Sequence, residues 1–71
     1  MKLTAIITRE GKAFVSLCPE LDIASQGSTV SDARKHLEEA VQLFFETASE
    51  KELDVRLKDE VYISSLEVVN G

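Results

Sequence analysis

One cysteine, one histidine, one proline and no tryptophan remove several kinds of chemistry from this chain before any pattern is read. Cys18 has no partner for an internal disulfide, and no Cys/His cluster offers metal-ligand spacing. The usual staples of a small fold are therefore missing. A chain of 71 residues buries only about 60% of the surface that its unfolded form exposes. Self-association is the remaining remedy, and a homodimer is the default because two-fold closure is the commonest arrangement.

Glycine is just as sparse. Gly11, Gly27 and Gly71 lie far apart, so no phosphate-cradling loop exists. No apolar run approaches the roughly 20 residues that cross a bilayer, and no membrane partner is expected. Thr4, Thr8, Arg9 and Glu10 interrupt the first residues, where a signal peptide would need an apolar segment. One unpaired cysteine suits a reducing compartment, and the expected location is cytoplasmic.

Positive charge is in deficit. Eight basic residues against 13 acidic ones give a formal net charge of −5. Nucleic-acid affinity rests on neutralising phosphates with Lys and Arg, so no direct nucleic-acid partner is expected. A basic protein fits this balance better.

The acidic residues do not assemble into a catalytic pattern. Two-metal hydrolysis needs carboxylates converging within a few ångströms. Glu20 and Asp22 flank a turn, while Glu38 and Glu39 are consecutive and diverge on a helix. Cys18 would need a base and a positive setting to act as a nucleophile, and His36 sits on a helix flank without a third partner. Cys18 reads as a small half-buried residue and His36 as a surface residue. No catalytic, cofactor-binding or metal-ligating residue is assigned, and the chain is read as a non-enzyme.

What is present is an ordered run of elements within one domain, residues 1–71. Residues 2–9 are rich in Thr and Ile, and residues 13–18 resume the strand pattern after Glu10, Gly11 and Lys12. This is a hairpin. Pro19 cannot donate to a ladder and ends the second strand. A turn at Glu20 and Leu21 leads to a short edge strand over residues 22–26. Gly27 is expected to let the chain turn sharply, and Ser28 or Thr29 caps the helix, with Asp32 at the third helical position if Thr29 is the cap.

The helix is the clearest element. Val30, Ala33, Leu37, Ala40, Val41, Phe44 and Ala48 fall on one arc, with Phe45 at its edge. Leu43 and His36 stand on the otherwise polar flank as a small contact patch or as scattered surface residues. Residues 47–60 are charged and read mainly as connection, with Val55 and Leu57 able to anchor a short extended or helical piece. Residues 61–69 read as a last strand, with a parity shift at Ser64 and Ser65 that suggests a bulge.

The expected fold is α+β, in the order β-β-β-α-β. It is an antiparallel meander with one helix packed on one face and the last strand beside the first. A right-handed crossover would give the strand order 3-2-1-4. The second sheet face is left bare, with Ile6 and parts of Phe14 or Leu66 as its candidates, and an exposed apolar face invites self-association.

The turn Cys18-Pro19-Glu20-Leu21, the following Ala24-Ser25-Gln26-Gly27-Ser28-Thr29 and the helix VSDARKHLEEAVQLFFE resemble the HicB family of antitoxins. The preceding hairpin and the closing VYISSLEVV also sit where that family has them, so the likeness spans residues 3–69. The chain departs from it at Asp22, Ile23 and Ala24, where many members have Pro-Gly-Cys. It is expected to be a short stand-alone form, without the DNA-binding domain that often follows. The resemblance implies a partial RNase-H-like fold without nuclease carboxylates. It further implies a protein that masks a small basic HicA-like toxin, itself a ribonuclease. The alternative is an orphan oligomeric domain of regulatory or structural role with no toxin partner. The expected partner-binding residues are Pro19, Glu20, Leu21 and Asp22 in the turn, with Leu43 and Phe45 on the helix.

Overall fold

A computed structural model of the chain describes residues 2–58 and 60–69. Three strands, β1 (Ile6–Glu10), β2 (Ala13–Cys18) and β3 (Ile23–Gly27), are followed by two helices, α1 (Val30–Thr47) and α2 (Glu50–Arg56). The strands form one antiparallel sheet in the order β1-β2-β3, so the fold is α+β.

The hairpin loop is Gly11-Lys12, because Glu10 pairs with Ala13. Gly11 takes φ +61 while Lys12 does not take a positive φ. A glycine at the first central position is what a type II′ turn requires, and that turn matches the twist of the flanking strands. β1 begins at Ile6 rather than at residue 2, for a reason in the register. Ile6 faces Leu17, so Thr4 would face Pro19, which has no N–H to offer.

Side chains alternate across the sheet. Ile7, Ser16 and Ser25 form one cross-strand row, and Cys18 stands beside Ile23; these face α1. Ile6, Leu17 and Ala24 face the other way, with Thr8, Val15 and Gln26. Ile6 thus lies on the uncovered face as expected. Phe14 does not: it shares the side of Ser16 and lies opposite Arg9 and Gly27, with the Arg9 guanidinium 6.0 Å from its ring centre.

The core is small. Cys18, Leu21 and Leu37 are buried together, and Leu3, Ile23, Val41, Phe44, Phe45 and Leu57 pack against them. Ser16 is buried as well, and its hydroxyl donates to the Ala33 carbonyl at 2.8 Å. That bond satisfies a polar atom that would be costly to bury alone, and it pins β2 to the first turns of α1.

Gly27 serves the packing in a different way from the one its sequence context suggests. Its φ is not positive. A Cβ there would lie 2.5 Å from the Ala33 nitrogen, so the absent side chain is what lets α1 start so close to β3. The helix start itself follows the expected pattern: Thr29 is the cap and accepts from the Asp32 N–H at 3.0 Å.

After α1 the short piece that Val55 and Leu57 could anchor is helical, and one expectation fails. The charged segment contains a second helix, capped by Ser49, whose hydroxyl accepts from the Glu52 N–H at 3.2 Å. The last strand is absent among the described residues: residues 61–69 join no sheet. The strand order 3-2-1-4 is therefore replaced by a three-stranded sheet. The cause lies just upstream, where the Lys58 N–H donates to the Glu20 carbonyl at 3.0 Å. The chain is held there at the β2–β3 turn, and Val61 and Tyr62 line a depression with Lys2 and Leu3, ahead of β1, without pairing to β1.

Candidate partner-binding surface

Four consecutive carbonyls in the β2–β3 turn accept hydrogen bonds from two cationic residues. Lys58 Nζ donates to Pro19 O at 3.1 Å and Lys58 N to Glu20 O at 3.0 Å. Arg56 Nε donates to Leu21 O at 3.0 Å and Arg56 Nη2 to Asp22 O at 3.1 Å. The Arg56 guanidinium also lies over the Phe44 ring, 5.5 Å from its centre. A fork of planar donors stacked on an aromatic face is a geometry that only arginine supplies. Asp22 adopts φ +56, a left-handed conformation that a short polar side chain tolerates. It turns the chain into β3.

The turn is anchored from the other side as well. Glu20 accepts from the Thr4 N–H at 3.0 and 3.1 Å and from the Thr4 hydroxyl at 2.5 Å. Burial pushes the Glu20 carboxyl up, but the hydrogen bonds from Thr4, from its own backbone and from the Cys18 thiol outweigh it and hold it below its usual range. Cys18 responds in the opposite direction. Burial, the bond to Glu20 and the nearby carboxylate charge raise its thiol above the usual value, against the lowering by backbone N–H groups. The Cys18 Sγ lies 3.5 Å from Glu20 Oε1. A thiol shifted this way keeps its proton at neutral pH, the reverse of what an activated nucleophile needs.

The six expected partner-binding residues fall into two places. Pro19, Glu20, Leu21 and Asp22 share the turn, but Leu21 is fully buried, so it contacts the core rather than a partner. Glu20 is committed to Thr4, which leaves Pro19 half-buried and Asp22 exposed. Phe45 is half-buried, stands edge-on to Phe44 at 6.0 Å and packs against the Leu21 core.

Leu43 is elsewhere. It is 59% exposed on α1, in a shallow depression lined by Glu38, Glu39, Gln42 and Glu46. His36 does not join it as a patch, for His36 Nδ1 lies 2.6 Å from the Gln26 carbonyl at the edge of β3.

Among the described residues, no group of three His, Cys, Asp or Glu side chains is placed to hold a metal ion. No described helix is long and apolar enough to cross a membrane. The roles of Arg56 and Lys58 had no sequence signal beyond two cations near a helix end. Ser49 with Glu52, by contrast, is a capping-box spacing that marks α2. Comparison with family models, curated proteins and solved structures returned no match for this chain.

Proposed function

We propose that this chain is an antitoxin-type protein-binding module that sequesters a small basic HicA-like ribonuclease, built on a partial RNase-H-like frame. The observation that carries the reading is the exposed Leu43 collared by Glu38, Glu39 and Glu46. An apolar anchor inside a carboxylate rim suits a partner whose own surface is basic, such as one that binds RNA. The net charge of −5 adds long-range attraction of the kind that raises association rates more than final affinity. The HicB-like turn and helix, and a meander with α1 on one face, support the same reading.

The test is a binding and inhibition assay with a short basic ribonuclease encoded beside this chain. Association should slow with added salt, because the screening length shrinks from about 10 Å at 0.1 M to about 3 Å at 1 M. Leu43→Asp should speed dissociation and relieve inhibition. A pair that does not bind at micromolar concentration, or binds without blocking RNA cleavage, would sink the proposal. The second reading, an orphan self-associating domain without a toxin, is favoured by the exposed apolar segment after α2 and would then stand alone.

A further inference from the structure

Two incomplete features of this molecule match each other. The first is residues 61–69, the arm. Tyr62 is 81% exposed, Leu66 87% and Val69 99%, and no strand pairs with them. At roughly 3.3 Å per residue an extended stretch of this length reaches about 30 Å. The molecule accordingly measures 49 Å along its long axis and has a radius of gyration of 14.2 Å, against about 11 Å for a compact chain of this length. Tyr62, Leu66 and Val68 share one parity, and Val61, Ile63 and Val69 the other. A strand apolar on both sides suits an interior position between two layers, not solvent.

The second feature is the outer edge of β1. Thr4 directs its N–H toward the β2 side, onto Glu20. By alternation along the strand, Ile7 and Arg9 turn their backbone N–H and C=O groups outward. No described residue pairs with that edge. The opposite edge is less open, because the Gln26 carbonyl of β3 already meets His36. α1 packs mainly across β3 and β2 and reaches β1 least. A groove of about 510 Å3 lies between α1 and residues 3–5, just ahead of β1, lined by Leu3, Ala5, Leu37, Val41 and Phe45 among others.

We propose that residues 61–69 of one copy add as a strand to the outer edge of β1 in a second copy, and that the exchange is reciprocal. The occupant is a second copy because each molecule carries both halves of the contact, and among the described residues neither half is paired within its own molecule. One parity of the arm would close the groove over Leu3 and Ala5. The other would extend the uncovered face that holds Ile6 and Leu17. A two-fold pair orders both arms with no further chain, and it covers the open edge of β1, which otherwise templates unwanted pairing. This inference stands independently of the toxin-binding reading.

The experiment is sedimentation of the full chain from sub-micromolar to tens of micromolar, with two variants. Leu66→Pro disables the arm at a residue with little packing to lose. Arg9→Pro removes an outward N–H without touching the β1–β2 ladder. The expected result is a wild-type dimer and two monomeric variants with unchanged circular dichroism. Mixed in equal amounts, the variants should recover a dimer, because one supplies an intact edge and the other an intact arm. A wild-type monomer throughout, or variants that remain dimeric, overturns the proposal. Hydrogen exchange on the wild type gives a reading that needs no variant. Amides of residues 61–69 and of Ile7 and Arg9 should slow together as concentration rises, and fast exchange in them at the highest concentration overturns it equally.

Discussion

Thr4 and Glu20, sixteen residues apart, are joined by three hydrogen bonds onto one carboxylate. The pairing takes up the Thr4 N–H at the point where Pro19 ends the β1–β2 ladder. It ties the start of the first strand to the turn on which the core and α2 both rest. Glu20→Ala should cost about 2 kcal/mol, in the range of hydrogen bonds to a charged group, and Glu20→Gln less. Thermal unfolding should show a drop of about 4–8 °C per kcal/mol in a domain of this size. An unchanged midpoint for Glu20→Ala would remove the bond from the list of stabilising contacts.

The acid limb of stability follows from the same carboxylate. Its folded-state value lies below the usual 4.5, so the folded state favours the ionised form. That contribution is complete above the usual value and is lost as pH falls through the lower folded one. Denaturant midpoints should decline in that window for the wild type. In Glu20→Gln this part of the decline should be missing.

The alkaline limb has the opposite sign. The Cys18 thiol is raised above 9.0, so the folded state favours the protonated form. Its contribution is intact below 9.0 and is lost as pH rises toward the folded value. A thiol reagent should label Cys18 slowly in buffer and fast in denaturant. Rapid labelling of the native protein at neutral pH would contradict the burial.

The two internal glycines should fail for different reasons. Gly27→Ala drives a methyl group to within 2.5 Å of the α1 backbone; about 1–3 kcal/mol is expected for overpacking of this kind. Gly11→Ala meets no atom within 4 Å but is strained at φ +61. Its cost should be about 1 kcal/mol, and Gly11→Asn should recover part of it because Asn tolerates that region.

Arg56→Lys should resemble Arg56→Ala more than the wild type, since an ammonium cannot span two adjacent carbonyls or stack flat on Phe44. The readout is hydrogen exchange in α2, which should quicken in both variants while β2 is unchanged. Equal protection in Arg56→Lys and wild type would show that a point charge is enough.

The meander and α1 were legible because their signals are local. Gly11 in a two-residue loop, Pro19 at a strand end and the apolar arc from Ala33 to Phe45 each act on neighbouring residues. Capping at Thr29 was readable for the same reason. Leu21 was misplaced because a residue in a turn between strands reads as surface, and only the arrival of Leu37 from α1 buries it. Gly27 was assigned to a turn because a close approach of two backbones leaves the same mark in sequence as a positive φ. The missing last strand has a similar cause. An apolar, β-branched run announces that it will pair, but not with which edge or in which molecule. Leu43 and its glutamates were readable as a helix flank, yet their closeness depends on rotamers that the sequence does not encode.

The order in which the elements leave the ribosome gives the unpaired β1 edge a further meaning. At roughly 5–20 residues per second, residues 61–69 emerge seconds after β3 is complete, whereas a hairpin closes in about 1–10 µs. The three strands are therefore complete in sequence before the arm of the same chain is synthesised. During that interval, nascent chains on one message are one another's nearest strands. Arg9 and Glu10 place opposite charges at the tip of that edge, where they discourage any incoming strand that does not bring its own complementary pattern.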